Sequence, residues 1–322
     1  MQTEYLGPID RSDLLSAASL LEKAAYYVQN GGLVAFPTET VYGLGASIFH
    51  ARALKALYAV KGRGTTRPLS LQLACSEQLP LVAAAIPPQF EVLARHFLPG
   101  PLTVIVRRHE RIPALVSAGR PSIAIRLSAD PIARRIVELT GCPLAVPSAN
   151  RTGKPSPTCV AHLLEDLNGR IDAVVDGGET PCGIESTVVS LEDPKAPTLL
   201  RLGAIAQVDI EAVLGQPLAV DQKAYFSKAH GRFGKLAPTV RLFSSLEEVM
   251  VYRQLSATGK RLVMGCCSLP QGSDIFPLSC ANLYDGLRKA DREGYAEVLI
   301  ICDAALKQQR ALFDHIKLIA DA

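Results

Sequence analysis

The 322-residue sequence predicts an α/β fold in two parts: a mixed, twisted sheet with flanking helices, then a linker and a smaller α/β unit. Three observations predict it. Short apolar runs of strand length alternate with amphipathic stretches of helix length from residue 14 to residue 202. Several neighbouring strands lack a crossover helix, so the sheet is mixed in direction. From Gly215 to Pro238 the periodicity dissolves into Gly, Pro, Lys, Ser and His, and a second alternation starts at 239.

In chain order, Ser12 or Asp13 is placed to cap a helix running to about Gln29, with Leu14, Ala18, Leu21, Ala25 and Val28 on one face and Gly31 as its stop. Leu33 to Phe36 reads as a short buried strand that ends in Pro37. Helix 52–60, strand 69–74, helix 88–97, strands 102–107 and 122–127, helix 131–140, strand 143–146 and helix 158–167 follow. Strands near 172–176, 186–191 and 198–202 complete a first domain over 1–212, with a linker at 213–238. In 239–322, strand 239–243, helix 245–256, strand 261–266, helix 280–293, strand 297–302 and helix 305–320 predict a small Rossmann-like unit. It has no Gly-rich phosphate fingerprint, so no cofactor is expected there.

Length beyond that of one usual domain, 48% hydrophobic and 20% charged residues describe a folded globular chain. The net charge of +3 marks no general nucleic-acid binder, so any anion site is local. Met1 to Asp10 contains Glu4 and Asp10 and no apolar run, so it reads as neither a secretory signal nor a transit peptide. Apolar stretches around Leu79 to Pro88 and Val298 to Leu306 are interrupted, and a cytoplasmic protein is expected. The eight cysteines show no C-x-x-C and no zinc-type spacing, and read as reduced structural thiols.

Polar groups gather at the predicted strand and helix ends. Lys61, Arg63 and Arg67 put three cations in seven residues beside Thr65 and Thr66, able to converge on a multiply charged anion or to form a solvated basic turn. Ser148, Asn150 and Ser156 sit where a strand end approaches the next helix, a place suited to phosphate oxygens or to a plain capped turn. Arg126 and Arg201 are strand-borne charges among apolar neighbours, pointing to a cleft rather than the core. Thr38 and Thr40, beside Tyr42, Gly43 and Gly45, read as a polar pocket floor; Gly183 to Thr187 reads as a close backbone approach or a glycine hairpin. Neither a Walker A loop nor a G-x-G-x-x-G occurs, and none of the six histidines completes a triad. Catalysis would therefore come from positioning and charge stabilisation.

Together, Pro37-Thr-Glu-Thr-Val-Tyr-Gly-Leu-Gly45, Lys61-x-Arg63, Ser122-Ile-Ala-Ile-Arg126, Pro147-Ser-Ala-Asn150 with Gly153-Lys-Pro-Ser-Pro157, and Glu185-Ser-Thr-Val-Val189 resemble the YrdC-type threonylcarbamoyl-AMP synthases over about residues 10–212. Residues 240–322 resemble the smaller domain of the family's long, two-domain form. The resemblance implies a YrdC-like sheet and a nucleotidyl transfer from ATP, with L-threonine and bicarbonate, giving L-threonylcarbamoyladenylate and pyrophosphate. The product would pass to a threonylcarbamoyl-transferase complex acting on tRNAs that read ANN codons. Carried over position by position, Thr38, Arg126, Val146 and Ser186 would line the threonine site, and Lys61, Thr65, Arg67, Ser122, Ser148, Asn150, Ser156 and Arg201 would hold ATP. Lys61 and Arg63 would carry the catalytic charge. Magnesium would enter with the nucleotide, with no protein cage of its own.

Three departures from the family pattern stand out. Gly64 replaces a proline and Arg67 an asparagine, Gln72 replaces a histidine near the threonine site, and Lys235-Leu-Ala-Pro238 lacks the linker aromatic that would cover the nucleotide. An alternative reading is an RNA-binding or ribosome-associated protein using the same basic cleft, recognisable by a steep salt dependence and indifference to threonine.

Overall fold

The computed structural model describes residues 2–221, 238–255, 259–266, 269, 272 and 274–320. The first part is an eleven-stranded sheet in the order β1-β8-β2-β3-β7-β4-β6-β5-β9-β10-β11. Its strands are β1 (Glu4–Leu6), β2 (Val34–Phe36), β3 (Gly43–Ser47), β4 (Ser70–Leu73), β5 (Leu102–Arg107) and β6 (Ser122–Leu127). β7 (Leu144–Ala145), β8 (Ala173–Val175), β9 (Thr187–Ser190), β10 (Thr198–Arg201) and β11 (Ala219–Val220) complete it. Parallel pairs such as β4 with β6 alternate with antiparallel ones such as β5 with β6, so the expected mixed sheet is what forms.

Helices cover both faces because each carries one apolar stripe. On one face α1 (Ala18–Gln29) packs through Leu21, Ala24 and Val28 beside α6 (Pro131–Thr140), which contributes Ile132, Ile136 and Val137. On the other lie α2 (Ala51–Lys61), the short α3 (Leu79–Val82), α4 (Pro88–Phe97) and α5 (Ala114–Ser117), then α7 (Val160–Leu167) and α8 (Gln207–Leu214). Leu54, Leu57, Phe90, Leu93, Leu163 and Ile210 supply their buried stripe. Removing one such leucine side chain costs about 2–5 kcal/mol.

Two helix expectations fail for local reasons. Neither Ser12 nor Asp13 caps α1: the Asp10 carboxylate accepts from the Ser12 amide at 2.8 Å and from its hydroxyl at 2.7 Å, Asp13 Oδ1 accepts from the Ser16 amide at 3.3 Å, and these fix turns ahead of α1, which starts at Ala18. The helix expected at 305–320 is broken at Gln309, whose ψ of 69° is not helical, into α11 (Ala304–Gln308) and α12 (Arg310–Ala320). The boundary expected at residue 212 falls inside α8, and the first sheet runs on to residue 220 because Ala219 and Val220 pair with Thr198 and Leu199.

The second part is a four-stranded, all-parallel sheet of β12 (Thr239–Phe243), β13 (Arg261–Gly265), β14 (Ile275–Pro277) and β15 (Glu297–Ile301), in the order β12-β15-β13-β14. Alongside α11 and α12, it carries α9 (Leu246–Leu255) and α10 (Leu283–Arg292). The linker residues 222–237, including Lys235 and Leu236, lie outside the described residues.

The second part is tied closely to the first. Val41 and Ile184 of the first part are buried in the core of the second. Arg288 on α10, with its side chain 4% exposed, pairs with Asp166 at 3.0 Å and Glu165 at 3.0 Å and donates to the carbonyl of Pro155 at 2.6 Å. Lys154 meets Asp291 at 2.5 Å, and His162 meets Asp285 at 3.0 Å. Among the described residues, no helix is long and apolar enough to cross a membrane, and the seven described cysteines are free thiols.

Candidate active site

A polar cleft opens over the middle of the first sheet, where the loop after β2, the end of β7 and the start of β9 converge. Ser70 and Gln72 on β4 and Arg126 on β6 form its floor. Gln72 and Arg126 are register partners across the parallel pair, so their side chains rise side by side. Thr103, Glu185, Ser186 and Arg201 make one wall, and Thr40, Val41, Val146, Pro147 and Ser148 the other, with Arg63 at the rim.

Glycine geometry explains how the walls meet. A Cβ on Gly43 would lie 2.4 Å from Val146 Cγ1, and one on Gly45 would lie 2.6 Å from the Phe36 ring. These two glycines admit the neighbouring side chains of Val146 and Phe36. Gly62, at φ 59°, ends α2 in a left-handed turn that sends Lys61 inward and Arg63 toward the cleft.

Arg126 is anchored from the loop after β2. Its Nη2 donates to Thr40 Oγ1 at 2.7 Å and lies 2.8 Å from Glu39 Oε1, an ion-pair distance without hydrogen-bond alignment. Burial works to raise the pKa of Glu39, but the Arg126 charge and the hydrogen bond from Ser128 outweigh it and leave that carboxyl below its ordinary range. Arg126 Nε is buried with no hydrogen-bond partner among the described residues, and so is Arg63 Nε. Arg63 Nη2 donates to the Pro68 carbonyl at 2.8 Å; burial, with Arg67 and Arg201 nearby, brings its pKa down to about 10. Arg201 donates through Nε and Nη2 to the Ser186 carbonyl at 3.0 and 2.8 Å, and to the Ser186 hydroxyl at 2.9 Å. Thr103 Oγ1 lies 2.7 Å from that same hydroxyl.

Lys61 is not on a loop, as its sequence context predicts, but is the last residue of α2, 3% exposed. Its ammonium donates to the carbonyls of Ser148 and, at 2.7 Å, Asn150, and so clamps the segment after β7. Two of its three donors are used, leaving one for a ligand. Burial, and secondarily the Arg63 charge, lowers its pKa to about 7. Within the clamped segment Ser148 Oγ donates to Asn150 Oδ1 at 2.6 Å, and Asn150 Nδ2 to the Lys154 carbonyl at 2.6 Å.

Of the residues expected to form the site, Arg63, Arg126, Val146, Ser148, Ser186 and Arg201 line the cleft. Lys61 and Asn150 lie directly behind Ser148. Thr38 sits one layer down, its Oγ1 2.9 Å from Thr40 Oγ1 and donating to the Val41 carbonyl at 2.7 Å, so Thr40 faces the cleft in its place. Ser156 is turned toward Glu185, donating to Oε1 at 2.5 Å. Thr65 is exposed on the loop after α2, and Arg67 is half-buried there beside Arg63. Ser122 lies on the Arg126 face of β6, about 13 Å away by strand rise, with a buried hydroxyl that has no hydrogen-bond partner.

Sequence reasoning gave no role to Glu39, Glu185 and Thr103, which hold the cations and hydroxyls in place. It noted Gln72 only as a departure; the structure puts Gln72 Oε1 in the cleft, buried and without a hydrogen-bond partner. The signal that finds it is the alternation of β4 opposite Arg126.

The Sua5–yciO–yrdC family model, described as "Telomere recombination", matches residues 26–203. The threonylcarbamoyl-AMP synthase of Pyrococcus abyssi is 37% identical over 298 residues, covering 86% of each chain. That of Bacillus subtilis is 42% identical over 216 residues, covering 66% of this chain and 62% of its own length. Among solved structures, P. abyssi Sua5 complexed with L-threonine superposes with a TM-score of 0.86 at 31% identity, covering 100% of this chain and 98% of that one.

Proposed function

The chain belongs to the Sua5–YciO–YrdC family, and on that premise we propose that it is a threonylcarbamoyl-AMP synthase, converting L-threonine, bicarbonate and ATP into L-threonylcarbamoyladenylate and pyrophosphate. The relatives of that name and the threonine-bound structure favour this reading over an RNA-binding one. The observation that carries it is the set of three arginines lining one cleft, two of them with a buried Nε–H that has no hydrogen-bond partner among the described residues. Buried donors of this kind are costly to leave unmade and are satisfied by an anionic ligand.

In the reaction, the threonine amine adds to the bicarbonate carbon and a C–O bond breaks with loss of water, giving a carbamate; a carbamate oxygen then attacks the α-phosphorus of ATP while the bond to the β-phosphate oxygen breaks and pyrophosphate departs. Arg126, beside Gln72 at the cleft floor, is suited to the threonine carboxylate. Arg63 at the rim and Arg201 on the opposite wall are suited to the phosphates, with the third donor of Lys61 behind Ser148. Fixed cations facing the leaving group stabilise the charge it gains without reorganising at the moment of transfer. Ser122, separated from Arg126 on the same face of β6 by the apolar Ala124, is kept in this reading as a contact to the rest of the nucleotide.

Magnesium fits this scheme as the counter-ion of ATP. It would enter with the nucleotide and be held by its phosphates. We place the reaction in the cytoplasm, with a threonylcarbamoyl-transferase acting on tRNA as consumer of the product.

Pyrophosphate release from ATP and magnesium, with L-threonine and bicarbonate supplied separately and together, tests the reading. Release that needs both substrates is expected; release independent of threonine overturns it.

A further inference from the structure

We propose that Tyr284 and His315, both on the second part of the chain, are positioning residues for ATP in the first, acting through Glu185. Glu185 lines the cleft next to Ser186 and is only 5% exposed. Its Oε1 accepts from Ser156 at 2.5 Å and its Oε2 accepts from the Tyr284 hydroxyl. Tyr284 in turn lies 2.7 Å from His315 Nε2, with the two rings edge to face at 76° and 5.8 Å between centroids.

The chemistry fixes the direction of this chain. The Tyr284 hydroxyl donates to Glu185 Oε2, so its single proton points there, and the tyrosine oxygen must then accept from His315 Nε2–H. His315 Nδ1, buried and without a hydrogen-bond partner, is the acceptor nitrogen of that tautomer. Burial lowers the His315 pKa and raises that of Tyr284 well above its ordinary value, so both stay neutral.

A buried carboxylate held at both oxygens cannot swing, and the segment that bears it carries Ser186, which Arg201 and Thr103 grip from the other side. Ser156 is held by the same anchor. Both α10, bearing Tyr284, and α12, bearing His315, therefore help shape the wall on which the nucleotide rests. The family model ends at residue 203, before either residue.

The inference rests on the synthase reading and is tested in the full chain by Tyr284→Phe, which removes one hydroxyl and keeps the ring. A purely structural role lowers the active fraction and leaves KM untouched; a positioning role raises KM for ATP by about tenfold, the cost of a lost hydrogen bond to a charged group. Calorimetry should show a matching loss of ATP affinity. Combined with Glu185→Gln, the loss should not multiply further. His315→Gln, which can still donate to the tyrosine oxygen, should stay close to the parent protein, and His315→Leu should behave like Tyr284→Phe. An unchanged KM and ATP affinity in a folded Tyr284→Phe protein, or losses that multiply with Glu185→Gln, overturn the proposal. If the unsubstituted protein releases no pyrophosphate, the synthase reading fails instead, and the ATP affinities still decide the relay.

Discussion

Arg126 and Glu39 face each other at 2.8 Å across the cleft floor, each side chain only 10% exposed. Glu39 anchors the guanidinium from below while Nε has no hydrogen-bond partner among the described residues. The pair is a preorganised anion receptor whose counter-charge is already in place before ligand arrives.

Replacing Arg126 by alanine should act twice. Activity should fall by about 2–4 kcal/mol in transition-state terms, read from kcat/KM. Stability should fall by about 3–5 kcal/mol, read from denaturant unfolding, because Glu39 is left as a buried, uncompensated charge. Adding Glu39→Gln should recover much of the stability and none of the activity.

Lys61 makes stability depend on pH in a stated direction. Its folded pKa, lowered to about 7 from 10.5, means that the unfolded chain binds the extra proton over that window. Stability should therefore rise as pH increases from about 7 toward 10.5, and that contribution should vanish in Lys61→Met. ATP binding at neutral pH should take up protons, because the phosphates favour the ammonium; calorimetry in buffers of different ionisation enthalpy measures the uptake.

Gly43→Ala should be poorly tolerated for steric reasons alone. Its Cβ would lie 2.4 Å from Val146 Cγ1 and push that wall into the cleft. A loss of about 1–3 kcal/mol in stability, with a raised KM for threonine, is expected from thermal melts and steady-state kinetics.

Arg288→Ala should loosen the tie between the two parts of the chain. It strands Asp166, whose side chain is 6% exposed, and frees the Pro155 carbonyl. A loss of about 3–5 kcal/mol, with unfolding divided into two transitions, is the expected outcome in a denaturant titration.

Much of the fold was legible where a single period dominates. Strands 102–107 and 122–127 and helices 88–97 and 131–140 lie where alternation or an amphipathic stripe places them. Strand Gly43–Ser47 is missing from the sequence reading; its glycines hide the strand pattern because they answer to Val146 and Phe36, which lie on neighbouring segments of the fold. The cations were legible as charges stranded in apolar runs. Their carboxylate partners were not, since Glu39 and Glu185 become meaningful only when β6 and α10 fold over them. Lys61 was legible as a cation but not as a clamp, because its two acceptors are backbone carbonyls of residues 148 and 150, which no sequence pattern exposes.

Mass analysis of the nucleotide product formed from carbon-13 bicarbonate, L-threonine and ATP tests the central claim most directly. The account predicts an adenylate carrying threonine and one labelled carbon, formed together with pyrophosphate. An unlabelled threonyl adenylate, or ADP and phosphate with no adduct, would contradict it.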